Sequence, residues 1–192
     1  MLGRMHEIIW EENSKIEDAP SVGFVVALLI RILEKTGTNK EILWCCKSED
    51  TFGSNLSSSG LHWLGLDSHR IIQVNAHSEI DRLWAIEEGL RCPGLIAVVI
   101  ELDSTQKQSD SAWRRLKLAT EKNGVTGFIL RSYKNNTNSV NTISDTRWRI
   151  TPCPSEDWRP KWNLNLLRAR NGRSNTISVV WDPLTRLFEM SK

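Results

Sequence analysis

The segment Gly60–Leu102, GLHWLGLDSHRIIQVNAHSEIDRLWAIEEGLRCPGLIAVVIEL, constrains the fold more than any other part of this 192-residue chain. Ser78 and Asp81 form an S-x-x-D helix start; Ile80, Leu83, Trp84, Ile86 and Leu90 recur at helical spacing as an inward stripe, and Pro93-Gly94 closes the helix. Leu95–Ile100 follows as an unbroken apolar run of strand length. Apolar residues at every position require cover on both faces, the condition of a strand at the centre of a parallel sheet. Arg70–Val74 supplies a short strand before the helix. Trp84 is expected to be mostly buried, because it shares the stripe of Ile80 and Leu83.

The same pattern extends in both directions. Pro20 and Ser21 start a helix in which Val22–Leu33 is apolar on nearly every face, so it must lie against a sheet, and Gly37 stops it. Glu41–Cys46 is a short strand, Asp50–Ser59 is rich in Ser and Gly, and Leu61–Leu66 is a further apolar segment. Downstream, Ala112, Leu116 and Ala119 line a helix with Arg114, Arg115 and Lys117 outside; Gly124 is placed as its C-cap and Val125–Leu130 as the next buried strand. After the polar loop Lys134–Ser144 the period changes to two: Thr146–Thr151 alternates, Trp162, Leu164 and Leu166 alternate with Asn163 and Asn165, and Asn171-Gly172 is a hairpin turn before Thr176–Trp181.

The expectation is an α/β fold in one domain, 1–192. Ile42–Cys46, Ile71–Val74, Leu95–Ile100 and Val125–Leu130 lie in a mostly parallel sheet flanked by the helices at Val22, Ile80 and Ala112. The parallel core spans 5–133, and an antiparallel C-terminal extension spans 145–186.

Composition narrows the functional classes. The length suffices for one well-buried core, and a net charge of +2 does not by itself imply a nucleic-acid partner. Cys45, Cys46, Cys92 and Cys153 lack C-x-x-C spacing and read as free thiols of a reducing cytosol, not a zinc site. The longest apolar run, Val22–Ile30, is too short to span a bilayer and Arg31 follows it, while Met1–Trp10 has no signal-peptide pattern. A cytoplasmic protein is expected. His6, His62, His69 and His77 have neither ligand spacing nor an evident carboxylate partner, and the G-x-S-x-G nucleophile motif is absent. No metal, cofactor or hydrolytic residue is therefore assigned.

The order of the pieces ILWCCKSED, GLDSHRIIQVNA, DRLWAIEEGLR, GLIAVVIEL, RRLKLATEKNGVTGFILR, TRWRITPCPS and KWNLNLLRARNGR resembles the ImuA family, RecA-related bacterial proteins often labelled SulA-like. The most distinctive pieces are LWAIEE, TRWR and the LLRARNGR turn, and the likeness runs from about Met5 to Asp182. It implies a RecA-like sheet and a damage-inducible (SOS) accessory of mutagenic translesion synthesis in DNA repair. The implied partners are an inactive Y-family polymerase homologue and an error-prone replicative-type polymerase. The likeness begins almost at Met5, so the family's usual N-terminal segment is expected to be missing, either because the start codon is placed late or because this is a shortened member. In RecA that region helps subunits associate, which leaves self-association open.

The residues argue against ATPase chemistry. A phosphate loop needs G-x-x-x-x-G-K followed by Ser or Thr, because backbone N–H groups cradle the phosphates, Lys reaches the β/γ-phosphates and the hydroxyl holds magnesium. No window satisfies it. The expected place holds EENSKIEDAPS, where Glu11, Glu12, Glu17 and Asp18 oppose Lys15, a local charge of about −3 that repels a triphosphate. Glu101 stands where the RecA family's second acidic motif would end, and Glu49 near its catalytic glutamate; both read as acids at strand ends pointing to solvent. Arg131 follows the strand where RecA-type proteins carry a polar nucleotide sensor, and without nucleotide it is expected to be a surface arginine or a contact to another protein.

Basic and aromatic residues interleave in the C-terminal quarter. Arg147, Trp148, Arg149, Trp158, Lys161, Trp162, Arg168 and Arg170 are the candidate partner-binding residues, since Arg and Trp dominate interface hot spots and also suit phosphate contact and base stacking. Arg147, Arg149, Lys161, Arg168 and Arg170 are expected to be exposed on one side of the extension, with some of the tryptophans anchoring the sheet. The lack of an extended basic tail ranks weak DNA contact below a protein partner. Three functions result: a non-enzymatic subunit of a mutagenic repair complex, a RecA-like DNA-binding ATPase, and a SulA-like cell-division inhibitor.

Overall fold

The computed structural model describes residues 2–11, 19–47, 56–102, 109–133, 144–169, 172 and 175–191. The acidic segment after Glu11, Glu49, the loop 134–143, Arg170 and Arg173 lie outside the described residues.

Among the described residues nine strands form one sheet: β1 (Met5–Glu11), β2 (Glu41–Lys47), β3 (Ile71–Ala76), β4 (Leu95–Leu102), β5 (Thr126–Tyr133), β6 (Thr146–Cys153), β7 (Lys161–Ala169), β8 (Asn175–Asp182) and β9 (Leu187–Met190). Their order is β3-β2-β4-β5-β1-β6-β7-β8-β9. From β3 through β6 every pairing is parallel, and β6 to β9 pair antiparallel. The fold class is thus α/β with a mostly parallel core and an antiparallel C-terminal extension. The helices are α1 (Ala19–Thr36), α2 (Ser58–Leu64), α3 (Glu79–Arg91) and α4 (Asp110–Asn123).

Alternation along the strands divides the core into two layers. On one face Ile8, Ile42, Trp44, Val99, Phe128, Leu130 and Ile150 pack against α1, whose Val25, Val26 and Leu29 are fully buried. Here the extension closes over the helix: Phe24 meets the rings of Trp162 and Phe188 at 5.6 and 5.7 Å, and Trp181 meets Phe188 at 4.9 Å. On the other face Leu43, Val98, Ile100 and Ile129 pack against Ile86 and Leu90 of α3 and Trp113 and Leu116 of α4. Those helices cover the parallel half, and the extension's second face, with Asn163 exposed and Arg149 and Lys161 half-buried, is largely open.

The helix starts follow the sequence. Ser78 Oγ accepts from the Asp81 N–H at 3.0 Å and donates to its carboxylate at 2.6 Å. Gly37 and Gly124 end α1 and α4 at φ values of 59° and 72°, where a side chain would be strained.

Two features depart from the expectation. β1, unassigned in the sequence, lies inside the sheet between β5 and β6. Its alternation is masked because the inward positions on the α3/α4 face include Glu7, which is buried against Arg147. The second is the rotation of α3. Trp84 is 67% exposed and Ile80 79%, so neither belongs to the core. The face turned inward carries Glu79, Arg82, Ile86, Gly89 and Leu90. Gly89 explains the roll: a Cβ there would stand 2.5 Å from Leu43 Cδ2 and 3.2 Å from Val98 Cγ2, so the helix closes on β2 and β4 where the side chain is missing.

Candidate functional site

The extension's candidate residues are distributed by strand pairing. Arg147 opposes Arg168, Arg149 opposes Asn165, and Cys153 opposes Lys161. Directly opposed residues share a face, and the register shift after Arg147, which adds Leu167 to β7, brings Arg168 to the side of Arg147, Arg149 and Lys161. Trp148 and Trp162 point to the other side with Ile150 and Leu164, where Trp162 is buried and Trp148 half-buried against the α1 core. Trp162 is thus an anchor of the sheet. Arg170 lies outside the described residues.

Arg147 is corrected by the structure. It is buried, with Nε donating to Glu7 Oε2 at 2.8 Å and Nη2 to Oε1 at 3.2 Å. β1 and β6 run parallel with Glu7 opposite Arg147, which sets the two side chains next to each other on one face. A guanidinium buried and held bidentately is a fixed part of the fold.

Arg131 is corrected as well. It is 3% exposed, with its guanidinium 5.7 Å from the Trp113 ring centroid. Among the described residues its Nε and Nη2 make no hydrogen bond. Burial pushes the guanidinium down from its usual range, opposed by the carboxylates of Glu7 and Glu79 and reinforced by Arg147. Glu7, Glu79, Arg131 and Arg147 therefore form one buried electrostatic network joining β1, α3, β5 and β6. Glu101 does not point freely to solvent either: its Oε1 accepts from Trp44 Nε1 at 2.8 Å, and it is half-buried.

The exposed features are different from those the spacing suggested. Trp158, in the β6–β7 loop, is 54% exposed and meets Trp63 of α2, 49% exposed, edge to face at 5.9 Å. The loop is braced by Asp157, which accepts from the Arg159 N–H at 2.9 Å and from Arg159 Nε at 2.8 Å, while Arg159 Nη1 reaches Glu189 on β9 at 2.8 Å. α2 is held to the extension by Trp181 Nε1 donating to the Leu64 carbonyl at 3.0 Å. Two indoles from distant segments are thus presented together on a fixed support. Trp63 was not singled out by the sequence, because nothing local in HWLGL marks it as outward-facing.

Among the described residues no group of three or more His, Cys, Asp or Glu is placed to hold a metal ion, and no helix is long and apolar enough to cross a membrane. No protein-family model matches the chain. The chain is similar to Protein ImuA of Caulobacter vibrioides, in two strains, with 31% identity over 186 residues covering 90% of this chain and 72% of that protein. A likeness of that identity, running through parallel core and antiparallel extension alike, means that the chain belongs to the ImuA family.

Proposed function

We propose that this chain is a non-enzymatic accessory subunit of DNA-damage-induced mutagenic translesion synthesis, acting in the cytoplasm by binding an inactive Y-family polymerase homologue. Family membership supports the mutagenesis role. The exposed Trp63–Trp158 pair is the observation that carries the binding role. Two adjacent indoles left in water on a rigid support lose little conformational entropy on docking and resemble the anchors of interface hot spots. Arg149, Lys161 and Arg168 add positive charge on the open sheet face, on the other side of the sheet from α2.

The absence of a phosphate-loop sequence supports a role without nucleotide turnover. An error-prone replicative-type polymerase is the further partner this reading names. The test is co-purification of the tagged chain from DNA-damaged cells. Recovery of the Y-family homologue supports the proposal. Recovery of DNA in an ATP-dependent manner, or of a tubulin-like division protein in its place, contradicts it.

A further inference from the structure

The outward surface of α3 and α4, on the opposite side of the sheet from Trp63, carries a second apolar feature. Ile80 and Trp84 lie four residues apart on α3, and Leu118 is 64% exposed on α4. The helices are neighbours bridged by Arg115 Nε to Glu87 Oε2 at 3.3 Å. Asn123 Nδ2 donates to the Leu90 carbonyl at 3.1 Å, a second link that holds the two helices side by side. All three apolar side chains are exposed on the outer surface of the same two-helix layer.

The charges around them are divided by helix. Apart from buried Glu79 and Arg82, α3 carries Asp81, Glu87 and Glu88 against Arg91, a net of −2; α4 carries Arg114, Arg115, Lys117 and Lys122 against Asp110 and Glu121, a net of +2. Acidic and basic helices lie side by side, joined by the Arg115–Glu87 pair, with Arg91 held by Glu87 and Glu88 and with Ile80, Trp84 and Leu118 facing outward. Such a surface complements itself: a two-fold axis running along the helices places α3 of each copy over α4 of the other, with Trp84 against Leu118 at the centre.

We propose that this face joins two copies of the chain into a symmetric dimer, α3 packed on the α4 of the second copy. The surface is separate from the Trp63–Trp158 site, so its partner choice is independent of the polymerase reading. Self-complementary charge selects a second copy over an unrelated partner, because both halves of the match are present on one chain.

Sedimentation equilibrium of the purified chain tests it, at about 100 µM, a concentration that populates any dimer of micromolar Kd. The parent is expected at twice its 22.0 kDa mass. Trp84→Glu and Leu118→Glu, at exposed positions, are expected to weaken association at least about 30-fold, with unchanged circular dichroism. Arg114→Glu with Lys122→Glu makes both helices acidic, and Asp81→Lys with Glu88→Lys makes both basic. Each doubly reversed chain is expected to be monomeric alone, and an equimolar mixture to form a heterodimer. The Ser78 cap survives the second set, since Ser78 Oγ accepts from the residue 81 N–H. A parent that stays monomeric, a Trp84→Glu chain that dimerises like the parent, or reversed chains that fail to pair on mixing would each overturn the proposal.

Discussion

Glu7 on β1 and Arg147 on β6 form a buried bidentate ion pair at 2.8 and 3.2 Å that ties the parallel core to the antiparallel extension. Ser144 Oγ donates to the same carboxylate at 3.4 Å, and the charge of Arg131 is offset partly by Glu7. Removing one partner of a buried pair strands the other charge and costs about 3–5 kcal/mol. Arg147→Ala is expected in that range by denaturant unfolding, and Glu7→Ala above it, since two guanidinium groups then lose their counter-ion. Glu7→Leu combined with Arg147→Met is expected to cost less than Glu7→Ala alone.

The roll of α3 about Gly89 makes a second prediction. Trp84→Ala is expected to change monomer stability by no more than about 0.5 kcal/mol, the range of exposed substitutions. Ile86→Ala and Leu90→Ala, both fully buried, are expected to cost about 2–5 kcal/mol. Gly89→Ala must push into Leu43 and Val98 and is expected to destabilise despite alanine's better helix propensity. Chemical denaturation of the four variants at dilute concentration checks the order.

The adjacent thiols of β2 give a pH dependence. Cys45 and Cys46 are fully buried on opposite faces, and burial pushes the Cys45 pKa from 9.0 up to about 11 and that of Cys46 higher still, with Glu101 adding to both. A thiol whose folded pKa is raised favours the fold fully below its unfolded value. That contribution is lost as pH rises from about 9 through the folded pKa, because the unfolded chain ionises first. Cys45→Ala with Cys46→Ala is expected to flatten the alkaline loss of stability above pH 9. In the native parent, maleimide is expected to label exposed Cys92 and to reach Cys45 and Cys46 after unfolding.

No nucleotide binding is expected. Stabilisation by a ligand grows as RT ln(1 + [L]/Kd), so a site of ~10 µM Kd would add about 2.7 kcal/mol at ~1 mM Mg-ATP. An unchanged Tm is predicted, and a clear rise contradicts it.

What could be read from the sequence was set by local chemistry. The unbroken apolar run of β4, the Ser78 cap and the glycines after α1 and α4 each carry their reason within a few residues, and the four strands read from such runs are neighbours in the sheet. β1 was hidden because its defining residue, Glu7, is buried through a partner 140 positions away. α3 bears two apolar stripes, and the choice between them is made by Gly89 against β2 and β4, a tertiary contact. At the site, alternation alone would set Arg168 on the face of Trp162; the bulge that returns it to the side of Arg147, Arg149 and Lys161 belongs to the strand pairing, just as the burial of Arg147 depends on β1. The pairing of Trp158 with Trp63 depends on where α2 docks, which no spacing encodes.

The most direct measurement is the affinity of the purified chain for the Y-family polymerase homologue, compared among the parent, Trp63→Ala, Trp158→Ala and Arg168→Ala, each with its Tm checked. Truncation of a hot-spot residue costs about 2 kcal/mol or more. The two tryptophan variants are expected to bind at least about 30-fold more weakly with unchanged Tm, and Arg168→Ala to have a smaller effect. Parent-like binding by both tryptophan variants, or no binding by the parent, would contradict the proposed binding role.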